Sequence, residues 1–230
     1  MNESQHRAWQ ALGIGPAWRL RRRMAEPPAA PAAPAAPAPA AMDWPQLRAA
    51  VARCRACTLC ETRTQPVFGV GDEGASWMVI GEAPGAEEDR RGEPFVGNAG
   101  RLLDQMLAAL GLGRERDVFV ANVLKCRPPN NRDPSPDEIR HCEPHLRRQI
   151  ELVSPRVIVV VGRIAAQALL GTEASIASLR GHVHHYRSGE RAIPVVVTYH
   201  PAYLLRSPPD KARAWSDLCL ARRVHDAGQA

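Results

Sequence analysis

The sequence predicts an α/β fold, a three-layer αβα sandwich built on a four-stranded, mostly parallel sheet. Four short apolar runs rich in valine and isoleucine recur along the chain, and such continuous runs are typical of strands buried on both faces. Segments with helical character separate the runs. Glycines and polar residues follow each run, and open α/β sheets bind ligands at the carboxyl ends of their strands.

The elements follow one another in a regular order. Residues 43–53 have a helical pattern and lead into a cysteine-rich stretch. Strands are predicted at 77–81, 117–123, 156–162 and 192–199, and helices at 98–111, 136–152, 163–170 and 208–224. The helix predicted at 136–152 opens with Ser-Pro-Asp-Glu, which is typical of a helix N-terminus.

The first 42 residues differ in composition from this domain at 43–230. Residues 25–42 are rich in proline and alanine, favour extended polyproline II and predict a linker. Residues 1–24 predict an arm, either disordered or binding a partner through large apolar side chains. The apolar residues of the arm are Trp9, Leu12, Ile14, Trp18 and Leu20.

Charge and hydropathy limit the function classes. The formal net charge is +6, but half of it lies in residues 1–42, so bulk charge on the domain is weak evidence for nucleic-acid binding. Any affinity for DNA must come from local clusters or helix N-termini. No apolar run approaches the ~20 residues of a membrane span. We expect a cytoplasmic protein that does not bind membranes.

Six cysteines indicate a metal site. In a reducing cytoplasm cysteines serve as metal ligands or buried thiols more often than as disulfides. Three of them, Cys54, Cys57 and Cys60, lie within the stretch CRACTLC. Spacing alone permits either a Cys₄ zinc site or an iron–sulfur cluster, because both use thiolate ligands.

The stretch GEAPGAEEDRRGEPFVGNAGRLLD, residues 81–104, combines a strand end, an acidic cluster and a helix start. Its glycines allow close approach of a ligand, and the helix start offers free N–H groups to a phosphate. It lacks the lysine and hydroxyl of a P-loop. From these residues alone, a structural turn remains an alternative.

Five motifs occur in an order and spacing that identify a family. They are GEAPG at 81–85, PFVGNAG at 94–100, Asn122 with KCRPP at 125–129, Arg180-Gly181 and His200-Pro201-Ala202. From Cys54 to Trp215 the chain resembles the family 4 uracil-DNA glycosylases. The resemblance implies hydrolysis of the N-glycosidic bond of deoxyuridine, in single- and double-stranded DNA, by a monomer. A non-catalytic iron–sulfur scaffold for DNA repair is the alternative.

The resemblance assigns roles in a uracil pocket. His200 would donate a hydrogen bond to uracil O2, Asn122 would pair with O4 and N3–H, and Phe95 would stack on the flipped base. Gly81 would allow the base to approach the backbone. From the residues alone, the alternatives are a turn residue for His200, a strand-end residue for Asn122 and a core residue for Phe95.

The acidic positions carry less specific signals. Family 1 uracil glycosylases have a water-activating aspartate where this chain has Ala83. Glu82 is therefore the candidate for organising the water, and Glu88 for crowding the C5 methyl group of thymine. Either glutamate could instead be a solvated surface acid.

DNA contacts are expected after the strand ends. Lys125, Arg127, Arg132 and Arg206 would meet phosphates, although each alone would pass for a solvated charge. Leu204 and Leu205 follow His200, where glycosylases of this fold insert an apolar wedge into the base stack. A core role is the alternative for these leucines.

The family also implies a [4Fe–4S] cluster with a structural role. Its ligands would be Cys54, Cys57, Cys126 and Cys142, and Cys60 could replace Cys57. Separately, the arm resembles the N-terminal peptide of the psi subunit of the bacterial clamp loader. This likeness predicts that residues 1–24 bind the clamp loader.

Overall fold

The computed structural model describes residues 2–13 and 39–228. Contacts divide the chain into two units, 1–36 and 37–230. In the first unit, helix α1 (Glu3–Ala11) begins at a capping box, in which Asn2 and Gln5 exchange side-chain to backbone hydrogen bonds of 2.9 Å. Ile14, Trp18, Leu20 and the linker up to residue 38 lie outside the described residues.

The second unit alternates strands and helices, as the sequence predicts. Its strands are β1 (Val70–Gly71), β2 (Trp77–Gly81), β3 (Val118–Asn122), β4 (Val157–Val161), β5 (Val183–Ser188) and β6 (Arg191–Thr198). Its α-helices are α2 (Trp44–Arg53), α3 (Leu59–Thr62), α4 (Ala86–Arg91), α5 (Asn98–Ala109), α6 (Pro136–Val153), α7 (Arg163–Leu170), α8 (Ile176–Leu179), α9 (Pro201–Arg206) and α10 (Lys211–Ala227).

The strands form one sheet in the order β1-β3-β2-β4-β6-β5. The four predicted strands are its parallel centre, β3, β2, β4 and β6. The sheet has six strands rather than the predicted four, because β1 and β5 add antiparallel edges. The carboxyl ends of the four central strands therefore meet at one edge of the sheet.

Helices cover both faces of the sheet, which confirms the three-layer sandwich. On one face, alternate strand residues such as Ile80 and Ile158 pack with Ile150 of α6. On the other face, Val79 and Val159 pack with side chains of α5 and α10. Strands β2, β3 and β4 are buried along their whole length, which explains their unbroken apolar sequence.

Helix α6 begins where the sequence predicts. Ser135 Oγ accepts a hydrogen bond from the Glu138 N–H (3.3 Å), and Glu138 Oε2 accepts one from the Ser135 N–H (2.8 Å). Such a reciprocal capping box satisfies N–H groups that a helix start leaves unpaired. It fixes the entry of the helix that carries Cys142.

The folded body extends into the predicted linker. Residues 39–41 form a 3₁₀ turn, and Met42 is buried, with its carbonyl oxygen accepting a hydrogen bond from Arg148 Nε at 2.6 Å. The boundary predicted at residue 43 therefore lies a few residues too late. None of the helices in the described residues is long and apolar enough to cross a membrane.

Candidate active site

A pocket of about 500 Å³ lies at the carboxyl ends of β2, β3 and β6. Its lining brings together seven residues that the sequence assigned to a uracil site or to DNA contacts. These are Glu82, Glu88, Phe95, Asn122, Arg132, His200 and, at the rim, Arg206, and Gly81 lies directly behind the wall. The sheet thus gathers residues that are far apart in sequence.

Phe95 forms an aromatic wall of the pocket. Its ring stacks on His200, with ring centroids 5.5 Å apart and an interplanar angle of 28°. A Cβ atom on Gly81 would lie 2.5 Å from Phe95 Cζ and from Asn122 Oδ1. Only glycine fits at residue 81, because Phe95 and Asn122 pack directly against its backbone.

Asn122 ends β3 and presents a buried amide to the pocket. Only 2% of the residue is exposed, and its Oδ1 atom has no hydrogen-bond partner in the described residues. A buried acceptor left unsatisfied costs about 1–3 kcal/mol. Its backbone carbonyl accepts a hydrogen bond from Lys125 Nζ at 2.7 Å, which fixes the strand end. The free amide oxygen is thus available to an N–H donor of a ligand.

His200 is held in one tautomer. The Ala202 N–H donates to Nδ1 at 3.1 Å, so the proton of the neutral ring lies on Nε2. Burial, and then the Arg206 charge, lower the pKa of His200 to about 4, against an opposing effect of Glu88. At neutral pH the ring is therefore a neutral Nε2–H donor.

Glu82 follows β2 directly and lines the pocket. Burial, and then the carboxylate of Asp133, raise its pKa to about 7, against an opposing effect of Arg163. Arg163 also forms an ion pair with Asp133, with Nη2 and Oδ2 3.1 Å apart. Glu82 can therefore exchange a proton near neutral pH, as a general base or a water-binding group must.

Glu88, on α4, shapes the pocket wall. Its Oε1 accepts hydrogen bonds from the N–H groups of Val96 (2.9 Å) and Gly97 (3.3 Å), and its Oε2 from that of Gly85 (3.1 Å). Oε1 therefore holds the backbone of the loop that carries Phe95, and Oε2 holds the start of α4.

Comparisons with known proteins assign the family. Residues 68–219 match the family model of the uracil DNA glycosylase superfamily. The chain is 46% identical over 171 residues to a type-4 uracil-DNA glycosylase of Archaeoglobus fulgidus, covering 73% of this chain and 85% of the relative. The chain belongs to the type-4 uracil-DNA glycosylases. A second type-4 relative, from Thermotoga maritima, is 44% identical over 71% of this chain and 83% of its own length.

Type-5 uracil-DNA glycosylases are more distant. The relative from Pyrobaculum aerophilum is 32% identical over 61% of this chain and 67% of its own length. The type-4 relative of the same organism is 40% identical over 78% of this chain and 93% of its own length.

The four cysteines expected to bind the cluster of a type-4 enzyme come from three segments that the fold brings together. They are Cys54 and Cys57 after α2, Cys126 after β3 and Cys142 on α6. Burial, and then neighbouring thiolates of this group, raise the pKa values of Cys57, Cys126 and Cys142. The thiols thus lie close enough to interact.

The surroundings of these thiols fit an iron–sulfur cluster. Arg63 Nη1 donates a hydrogen bond to Cys126 Sγ at 2.8 Å, and the Lys125 N–H donates one to Cys142 Sγ at 3.2 Å. Hydrogen bonds to sulfur are the ordinary environment of cluster ligands. In the described residues, no group of three or more His, Cys, Asp or Glu side chains is arranged to hold a single metal ion.

Two of the expected DNA contacts are wrong. Lys125 is 1% exposed, and its ammonium group is directed inward to the Asn122 carbonyl oxygen, so it does not reach a phosphate. Leu204 is also 1% exposed and packs with Tyr199 and Ala214. Its neighbour Leu205 is 44% exposed, because adjacent residues of α9 lie on different helix faces.

The three arginines remain accessible to different degrees. Arg132 is bound in a two-point ion pair by Glu138, with hydrogen bonds of 2.8 and 2.5 Å, which lowers the pKa of Glu138 to about 2. Arg127 donates from Nε to Asn131 Oδ1 at 2.7 Å. Arg206 is exposed and has no carboxylate within 4 Å in the described residues. Arg206 is thus the best placed for a phosphate.

Sequence reasoning missed two arginines that support the site. Arg63 contacts a cysteine of the cluster site, and Arg114 contacts the backbone of Phe95. Both lie outside the recognised motifs, and an isolated arginine in a sequence carries no signal of its partner. Only the fold identifies them.

Proposed function

We propose that the chain hydrolyses the N-glycosidic bond of deoxyuridine in DNA, releasing uracil and leaving an abasic site. The observation that carries the proposal is the buried, unsatisfied amide oxygen of Asn122 beside the Phe95 ring. A flipped uracil would stack on the ring and supply the missing N–H donor. Family membership supports the same reaction.

Asn122 would select uracil through its amide. Oδ1 accepts from uracil N3–H, and Nδ2 donates to O4. Cytosine has no proton at N3 and carries an amino group at position 4. In the same amide orientation, Oδ1 would face the acceptor N3, and Nδ2 would face the donor amino group. Leaving such groups unpaired in a buried site is costly, and this cost excludes cytosine.

His200 would stabilise the leaving base. As the bond breaks, negative charge moves onto the uracil, particularly O2, and the Nε2–H donor is directed at that charge. Because the pKa of His200 is about 4, the group remains neutral throughout the physiological range. Its effect is that of a fixed hydrogen bond rather than of a proton transfer.

Glu82 would bind the attacking water and stabilise the positive sugar. It stands at the end of β2, next to Ala83, and its ionised form supplies both a hydrogen-bond acceptor and a negative charge. This assignment needs no aspartate at residue 83. Glu88 would hold the loop that shapes the pocket near C5 of the base, through its hydrogen bond from the Val96 N–H.

The cysteine site would hold a [4Fe–4S] cluster on Cys54, Cys57, Cys126 and Cys142. The cluster would cross-link three segments of the body and supply no step of the hydrolysis. Arg63 and the Lys125 N–H would then stabilise the ligand sulfurs by hydrogen bonds.

DNA would reach the pocket from the rim. Arg206, Arg127 and Arg132 would contact phosphates of single- or double-stranded DNA, and the exposed Leu205 would enter the vacated base stack.

We propose that the body acts as a monomer and that residues 1–24 bind the clamp loader. A pull-down with the full chain and with a variant starting at residue 37 tests the last point, and equal capture contradicts it.

Cleavage of a uracil-containing oligonucleotide tests the activity. Wild type should leave alkali-labile abasic sites, and His200→Ala should lose activity by about 100-fold. His184→Ala is a matched control, because His184 is held on β5 by the Leu179 carbonyl oxygen, away from the pocket lining. Wild-type protein that leaves uracil in place would contradict the proposal and favour the scaffold alternative.

A further inference from the structure

We propose that Arg114 is a positioning residue that sets the orientation of the Phe95 ring; the proposal rests on the function proposed for the pocket. Arg114 lies after α5, and its side chain is 19% exposed. Its Nη1 donates a hydrogen bond to the Pro94 carbonyl oxygen, and its Nη2 donates one to the Phe95 carbonyl oxygen, both at 2.6 Å. One guanidinium group thus holds two consecutive carbonyl groups.

The guanidinium is itself oriented by α5. Asp104, on that helix, accepts a hydrogen bond from Arg114 Nε at 2.7 Å. The three contacts use the two outer nitrogens and the inner nitrogen of a rigid, planar group. A lysine at this position has a single point of charge and cannot reproduce the three directions together.

The backbone of Phe95 needs such support. Its φ of 55° is uncommon for a bulky residue, and a conformation of this kind persists only where its surroundings hold it. A Cβ atom on Gly100 would lie 1.7 Å from the Phe95 carbonyl oxygen, so this carbonyl is packed tightly against α5. The charged guanidinium group of Arg114 supplies the hydrogen bond that this carbonyl oxygen needs.

The loop is held from two sides. Glu88 binds the N–H groups of Val96 and Gly97, and Arg114 binds the carbonyl groups of Pro94 and Phe95. Glu88 lines the pocket, whereas Arg114 is absent from its lining. Any effect of Arg114 on the base must therefore pass through Phe95.

Steady-state kinetics on a uracil-containing oligonucleotide test the role. Stacking acts on the bound base, so Arg114→Lys should raise KM about tenfold and change kcat much less. Arg116→Lys is the matched control: Arg116 is exposed, two residues away, and donates to the Gly111 carbonyl oxygen at 2.7 Å. This control should keep both constants.

A double-mutant cycle separates positioning from a general structural role. In a Phe95→Ala background, Arg114→Lys should have no further effect on KM, because the ring that it orients is gone. An equal loss in both backgrounds would overturn the proposal. So would an Arg114→Lys variant with the KM of wild type.

Fluorine NMR tests the geometry independently of catalysis. The chain contains three phenylalanines, so labelling with 4-fluorophenylalanine gives three signals, and Phe95→Leu assigns one of them. Arg114→Lys should shift or broaden the Phe95 signal and leave those of Phe68 and Phe119 in place. An unchanged Phe95 signal would overturn the proposal. If wild type failed to cleave uracil DNA, this result would still decide the role of Arg114.

Discussion

His200 and Glu82 have pKa values that burial moves in opposite directions, to about 4 and about 7. Burial disfavours the charged form of each group, so it removes the proton from the histidine and retains it on the carboxyl. The two side chains lie in one pocket but serve different needs. His200 must stay a neutral hydrogen-bond donor, and Glu82 must be able to give up its proton at neutral pH.

Activity should therefore rise with pH through about 7 and stay level above it, as Glu82 ionises. Glu82→Gln should have low activity with no such rise. The same variant should be more stable than wild type at pH 8 by about 1–2 kcal/mol, because the folded state holds the Glu82 proton to a higher pH than the unfolded state does. At pH 4 to 5 the two proteins should unfold at similar temperatures. A wild-type profile that is flat from pH 6 to 8 would contradict the role of Glu82.

Asn122→Asp should change base selectivity. The variant replaces an amide donor by an acceptor opposite position 4, where uracil has an oxygen and cytosine an amino group. Uracil release should fall about 100-fold, and the ratio of cytosine to uracil release should rise. Asn122→Ala is the control, because it removes the donor without adding an acceptor. Release of both bases from matched oligonucleotides measures the effect, and an unchanged ratio in Asn122→Asp would count against the pairing.

The residues of the pocket could be predicted because family motifs mark them, and because Glu82, Asn122 and His200 stand at the ends of strands that are apolar enough to recognise. The contacts of the charged residues could not. Lys125 follows β3 like a phosphate ligand, yet it turns inward because the Asn122 carbonyl oxygen and two cysteines lie on that side. The direction of a long side chain depends on partners that come from other segments.

At the scale of elements, α9 separates a buried side from a solvent-exposed side within one turn. Leu204 faces the cluster of Tyr199 and Ala214, and Leu205 faces solvent. The sequence HPAYLLR placed both leucines near the pocket, but six helical residues are too few for their periodicity to show which one is buried.

The two leucines should behave differently when truncated. Leu204→Ala should destabilise the fold by about 2–5 kcal/mol, because it opens a cavity. Leu205→Ala should leave the free energy of unfolding within about 0.5 kcal/mol of wild type and reduce activity on double-stranded more than on single-stranded uracil DNA. Denaturant unfolding and paired cleavage assays measure both effects. Equal losses on the two substrates would contradict a wedge role for Leu205.

The central strands were predictable, and the edge strands were not. Strands buried on both faces are uniformly apolar, which is a strong signal. In contrast, β1 has two residues, and β5, VHHYRS, is exposed along one side. Edge strands of this kind are short and polar because they must not pair with other chains.

At the scale of the whole molecule, the four cysteines expected to bind the cluster lie on segments that the sheet alone leaves apart. The link from α2 to α3 carries Cys54 and Cys57, the loop after β3 carries Cys126, and α6 carries Cys142. The loop after β3 also positions Asn122 through Lys125. A bound cluster would therefore stabilise the pocket floor without touching the substrate.

This arrangement predicts different effects for two neighbouring cysteines. Cys57→Ala should lose the visible absorbance of the cluster and unfold at a lower temperature, because the cluster loses one of its four thiolate ligands. Cys60→Ala, three residues away, should keep the absorbance, the iron content and the unfolding temperature. The opposite result would mean that Cys60 takes the fourth position. Loss of absorbance in neither variant would contradict the prediction, because it would mean that the cluster requires neither of these two thiols.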